Sequence, residues 1–119
     1  AAALLVEMLA VTGKSVSQLY QEITDKYGML YYEDAAFTMT QARKAELQEK
    51  LFVKLEVPDF GNAVEKINRT DGCKVYFTDG SWVICRFSGT EPLLRMAAEG
   101  ESQSQARTYI RIWREALGL

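Results

Sequence analysis

The sequence predicts an α+β fold: a four-stranded antiparallel sheet with helices on one face, preceded by a helical segment from a neighbouring domain. Three observations carry this. Two Asp-Gly pairs, Asp71-Gly72 and Asp79-Gly80, sit between alternating segments, and Asp-Gly is the strongest short-range hairpin signal. A stretch after Ser102 repeats apolar residues at helical spacing. Residues 1–28 are helical in pattern but stand apart from the alternating region.

In chain order, Ala1 to Leu9 form an apolar helical stretch that reads as the interior of a longer chain, and Gly13 ends it. Ser15-Val16-Ser17-Gln18 has the capping-box form, in which Ser and Gln satisfy each other's free amides. Val16, Leu19, Tyr20, Ile23 and Tyr27 then recur on one helical face up to Gly28. Residues 29–39 show no clean period and are expected to form an extended linker, the hinge between two packed units. Thr40 is the N-cap of a helix to about Val53, and Pro58 and Gly61 break the chain after it. Strands follow at Val64–Thr70, Cys73–Thr78, Ser81–Phe87 and Leu93–Glu99. Ser102-Gln103-Ser104-Gln105 is a second capping box, opening a helix with Ala106, Tyr109, Ile110, Trp113, Ala116 and Leu117 on one stripe.

The 119 residues suffice for one ordinary domain, or one domain and a piece of another. Fourteen basic against sixteen acidic residues leave a net charge of −2, which excludes a generally basic nucleic-acid surface. Any anion site must be local. Histidine is absent, so Ser-His-Asp and Cys-His nucleophile systems and His-ligated zinc are excluded. Two cysteines, Cys73 and Cys85, are too few for a four-thiolate zinc site or a disulfide framework. They read as thiols of a reducing compartment, consistent with a cytoplasmic protein. No apolar run approaches the roughly 20 residues of a membrane span.

Thr12-Gly13-Lys14-Ser15 imitates the end of a phosphate loop, but Met8 stands where that pattern needs glycine and the preceding residues are helical rather than strand-like. It reads as a junction between helices. The segment Arg86-Phe87-Ser88-Gly89-Thr90-Glu91-Pro92-Leu93-Leu94-Arg95 is different. Alternation puts Val83, Cys85 and Phe87 on one face with Leu94, Met96 and Ala98, leaving Arg86 and Arg95 together on the open face. Between them lie two hydroxyls, a glycine and several amides, the components of an anion nest. A plain hairpin whose arginines pair with Glu91 or with the terminal helix uses the same residues. A nucleic-acid module stacking bases on Tyr76 and Trp82 beside Arg86 is a further alternative, which the net charge opposes.

The Arg86–Arg95 run resembles the phosphate-binding loop of the C-terminal domain of the α-D-phosphohexomutases, which include phosphoglucomutase/phosphomannomutase and phosphoglucosamine mutase. The paired Asp-Gly turns resemble those that precede that loop, and Ala1 to Tyr27 is similar to the end of the family's third domain. The resemblance implies that residues 1–28 are the last helices of the third domain and residues 40–119 the phosphate-binding C-terminal domain. It implies a parent enzyme that transfers a phosphoryl group within a hexose phosphate through a bisphosphorylated intermediate, with a phosphoserine and a magnesium ion on other domains. The implied partners are a phosphosugar and those remaining domains, with no nucleic acid or membrane. Cofactors are implied for the parent alone: Mg2+ and a hexose 1,6-bisphosphate. Carried over residue by residue, Arg86, Ser88, Gly89, Thr90 and Arg95 would hold the phosphate that does not react. No catalytic or metal-binding residue is implied here, so this chain by itself is expected to be inactive. The Tyr27-Gly28 and Tyr31-Tyr32 segments lean toward phosphoglucomutase/phosphomannomutase, the run after Ser88 slightly toward phosphoglucosamine mutase.

Overall fold

A computed structural model of the chain describes residues 1–54 and 56–119. Its elements are α1 (Ala2–Thr12), α2 (Val16–Tyr27), β1 (Tyr31–Thr38), α3 (Gln41–Gln48), β2 (Val64–Asn68), β3 (Cys73–Phe77), β4 (Trp82–Phe87), β5 (Leu93–Gly100) and α4 (Gln103–Leu117). A π-helical turn, Glu49–Val53, continues α3. The fold is α+β, as the sequence predicts, but the antiparallel sheet has five strands rather than four, in the order β1-β5-β4-β3-β2.

The additional strand comes from the segment expected to be a linker. Tyr31–Thr38 pairs along its whole length with β5, from Tyr31 opposite Gly100 to Thr38 opposite Leu93. Its burial does alternate: Tyr31, Glu33, Ala35 and Phe37 are half-buried and the residues between them exposed. The signal is faint in sequence because an edge strand buries little, and Ala, Glu and Asp have poor strand propensity. Pairing with β5 extends this strand, not its own side-chain pattern.

One face of the sheet carries the core. Cys73, Val75, Phe77, Val83, Cys85, Leu94, Met96 and Ala98 point into it, alternating along three strands. Helix α4 covers them with Ala106, Tyr109, Ile110, Trp113 and Leu117, the stripe its spacing predicts. Leu47 and Leu51 add a second helical contribution. Phe60 fills the end of this layer, edge-on to Phe77, Tyr109 and Trp113 at ring separations of 5.4, 5.8 and 5.7 Å. The α3 segment also holds the end of α4: Arg43 donates to the Leu117 carbonyl and Lys50 Nζ to that of Ala116. These satisfy carbonyls a helix C-terminus leaves unpaired, with the charge sign its dipole favours.

The capping box at Ser15 is complete, with both reciprocal hydrogen bonds present. That at Ser102 is half-formed. The Ser102 hydroxyl accepts from the Gln105 amide, but the Gln105 side chain accepts from Glu101 N and donates to Asp79 and Tyr109. Helices α1 and α2 bury no residue, and Leu4, Val6, Val11, Val16, Ile23 and Tyr27 are each more than half exposed. Cys73 and Cys85 lie directly opposite each other on β3 and β4, buried and unbonded. Burial raises both thiol pKa values; the Cys73 charge adds to the rise at Cys85, and Arg69 opposes it at Cys73. No described helix is long and apolar enough to cross a membrane.

Candidate functional site

Strand alternation and register decide which side chains meet on the uncovered face. Arg86 on β4 is the direct cross-strand partner of Arg95 on β5, so both guanidinium groups project from that face. Both residues are exposed. Two like charges directly opposite are unfavourable without an anion or a neighbouring carboxylate. Arg86 has such a carboxylate, its Nη1 donating to Asp71 Oδ2 at 3.0 Å. Arg95 makes no ion pair among the described residues. A concavity of about 290 Å³ lies here, lined by Arg86, Arg95, Ile84, Tyr32 and Asp34 among others.

The loop between the arginines is closed by its own backbone and clamped from outside. Ser88 N donates to the Leu93 carbonyl and Leu93 N to that of Glu91, both at 2.8 Å, and Met39 N donates to the Pro92 carbonyl at 2.9 Å. Helix α3 sends Lys44 beneath the loop, its Nζ 2.9 Å from the Ser88 carbonyl and 3.4 Å from that of Glu91. The amides of Gly89, Thr90 and Glu91 and the hydroxyls of Ser88 and Thr90 carry no internal hydrogen bond among the described residues. They remain available to an anion; the Ser88 amide is already used.

The five residues singled out in the sequence therefore fall into two adjacent groups. Arg86 and Arg95 line the open-face concavity, whereas Ser88, Gly89 and Thr90 form the turn beyond it and do not line it. Glu91 is not paired with either arginine; its contribution is the backbone carbonyl. Lys44 and Asp71 were not foreseen. Lys44 reads in sequence as an ordinary helix former, and Asp71 as a turn residue, because neither spacing announces a partner so far along the chain.

The rest of the face offers less. Lys74 Nζ stands 3.8 Å from the Trp82 ring centroid and 4.8 Å from that of Tyr76. Trp82 Nε1 also donates to Glu99. Lysine thus covers the two rings that base stacking would require. Among the described residues no group of three acidic or sulfur side chains could hold a metal ion.

Comparison with known proteins points to one family. The family model described as phosphoglucomutase/phosphomannomutase, C-terminal domain, matches residues 44–115. A phosphoglucomutase/phosphomannomutase from Thermococcus kodakarensis is 33% identical over 108 residues, covering 91% of this chain and 21% of the relative. A protein named as a phosphoglucosamine mutase from Methanothermobacter thermautotrophicus is 42% identical over 55 residues, covering 46% of this chain and 12% of the relative. The chain thus spans about a fifth or less of these relatives. A crystal structure named as a phosphomannomutase from Thermus thermophilus shares the fold, with a TM-score of 0.63 at 20% identity over 98% of this chain and 21% of that one.

Proposed function

The chain belongs to the phosphoglucomutase/phosphomannomutase C-terminal domain family, and from that premise we propose that its Arg86–Arg95 segment grips the non-reacting phosphate of a hexose phosphate while a parent enzyme moves the other phosphoryl group. The observation that carries this is the register that sets Arg86 opposite Arg95, beside a turn with three free amides and two free hydroxyls. A phosphate monoester matches it: guanidinium forks take pairs of oxygens, and amides and hydroxyls take the remainder. Binding energy from a phosphate remote from the reacting centre orients the other end of the sugar for transfer. No step proposed for this chain passes through a metal ion.

The exposed apolar surface of α1 and α2 fits the same reading. We assign it to packing against the remainder of the parent, leaving residues 28–30, just before β1, as the joint about which the C-terminal unit opens to release its ligand. Within the family, glucose or mannose phosphate is the proposed substrate. On its own the chain is proposed to bind phosphate weakly and to catalyse nothing.

The test is a titration of the isotopically labelled chain with inorganic phosphate and with glucose 1-phosphate, followed by amide NMR. Saturable shifts at Gly89 and Thr90 are expected, with affinity about tenfold to a hundredfold weaker in Arg86→Ala, the loss of a charge-assisted hydrogen bond. No response at these amides overturns the binding reading. Mutase turnover by the chain alone overturns its assignment as a non-catalytic part.

A further inference from the structure

We propose that Lys44 is a positioning residue of this site: by holding the Ser88 carbonyl, it aims the Gly89 amide at the anion. The inference rests on the phosphate-binding reading of the loop. In a trans peptide the C=O and N–H of one plane point in opposite directions. The Lys44 ammonium, 2.9 Å from the Ser88 carbonyl oxygen, therefore determines where Gly89 N–H points. Lys44 approaches from the helix layer: it projects from α3 and lies 6.0 Å from the centroid of the Phe87 ring, itself packed against the core. The carbonyl faces that layer, so the Gly89 amide of the same peptide plane points away from it.

The second acceptor fits the same arrangement. Glu91 O, 3.4 Å from Lys44 Nζ, belongs to the peptide preceding Pro92, which has no N–H to present. Lys44 thus ties back two carbonyl dipoles that would repel an anion, at the two ends of the segment with the free amides. It also places a positive charge behind the loop. Losing this clamp lets the Ser88–Gly89 peptide rotate and turn its oxygen toward the ligand.

The experiment compares Lys44→Met, similar in length but uncharged, with Lys44→Arg, which restores a donor. Wild type and both variants are followed by thermal unfolding, by the Ser88 carbonyl-carbon and Gly89 amide resonances without ligand, and by titration with inorganic phosphate. In K44M the Ser88 carbonyl resonance is expected to move, the Gly89 response to phosphate to vanish and affinity to fall about tenfold. K44R is expected to recover all three. Thermal unfolding separates this from general loss of fold. An unmoved Ser88 carbonyl in K44M overturns the proposal whatever phosphate does, as does unchanged phosphate affinity. A wild-type chain indifferent to phosphate, with a carbonyl that still moves in K44M, defeats the phosphate reading while supporting the clamp.

Discussion

The two Asp-Gly turns are the same dipeptide eight residues apart, yet the fold uses them in opposite ways. At Asp79-Gly80 the aspartate is the engaged residue. It accepts from the Ser81 amide and hydroxyl at 2.9 and 2.5 Å, from Asn62 Nδ2 at 2.7 Å and from Gln105 Nε2 at 2.9 Å. Tyr109 closes the network through Ser81, Asn62 and Gln105. Gly80 supplies its φ of 86° and an amide that donates to the Phe77 carbonyl at 3.0 Å, and a Cβ there would meet nothing within 4 Å. At Asp71-Gly72 the glycine is the engaged residue. Its φ is 100°, and a Cβ would lie 2.6 Å from both Arg86 Cβ and the Cys85 carbonyl oxygen. Asp71 makes one exposed ion pair, to Arg86. A turn signal names the conformation; what lies opposite it decides which residue is indispensable.

Substitutions sharpen that contrast. Gly72→Ala has the largest expected effect, about 3 kcal/mol by urea denaturation, since the strained φ adds to a collision that backbone atoms cannot evade. A loss near that of Gly80→Ala would erase the distinction between the turns. Asp79→Ala is expected to cost about 2 kcal/mol, because four hydrogen bonds go but the carboxylate is largely exposed.

The same carboxylate predicts a pH dependence. Burial alone would raise the Asp79 pKa, but hydrogen bonds from Ser81, Asn62 and Gln105 outweigh it and hold the pKa below the ordinary value. Its stabilisation is present above an unfolded-state pKa of about 4 and is lost as pH falls through the lower folded value. Thermal melts in acid should therefore show a shallower fall for Asp79→Asn than for wild type; parallel profiles would remove Asp79 from the account.

Gly80→Ala should cost about 1 kcal/mol, the penalty of a left-handed conformation without a collision. Asp71→Ala is expected to change stability least, by less than about 0.5 kcal/mol, as exposed ion pairs do. Calorimetry of both variants checks that order, and a larger loss at Asp71 would show that its pairing with Arg86 matters to the fold as well as to the site.

Much of the fold was legible because local rules settled it. Asp-Gly turns, alternation from Cys73 to Phe87 and the α4 stripe name their elements without knowledge of neighbours. Alternation also put Arg86 and Arg95 on one face, since a period of two leaves no other choice once the apolar sets face the core. Strand β1 was not legible, because half-buried edge positions filled by Glu33 and Ala35 carry little pattern. The second capping box was half misread: Gln105 has the right spacing, but Asp79 draws its side chain away.

What the sequence by itself determined is the class of fold, the boundaries of most elements and the face on which two arginines meet, all consequences of periodicities and turn chemistry that act over a few residues. Only the tertiary structure decided that residues 31–38 complete the sheet, that Asp71 pairs with Arg86 and that Lys44 reaches the Ser88 carbonyl. Each of these is a contact between segments distant in the chain, chosen by geometry and by the need to satisfy exposed backbone and charge, and no local pattern encodes such a partner.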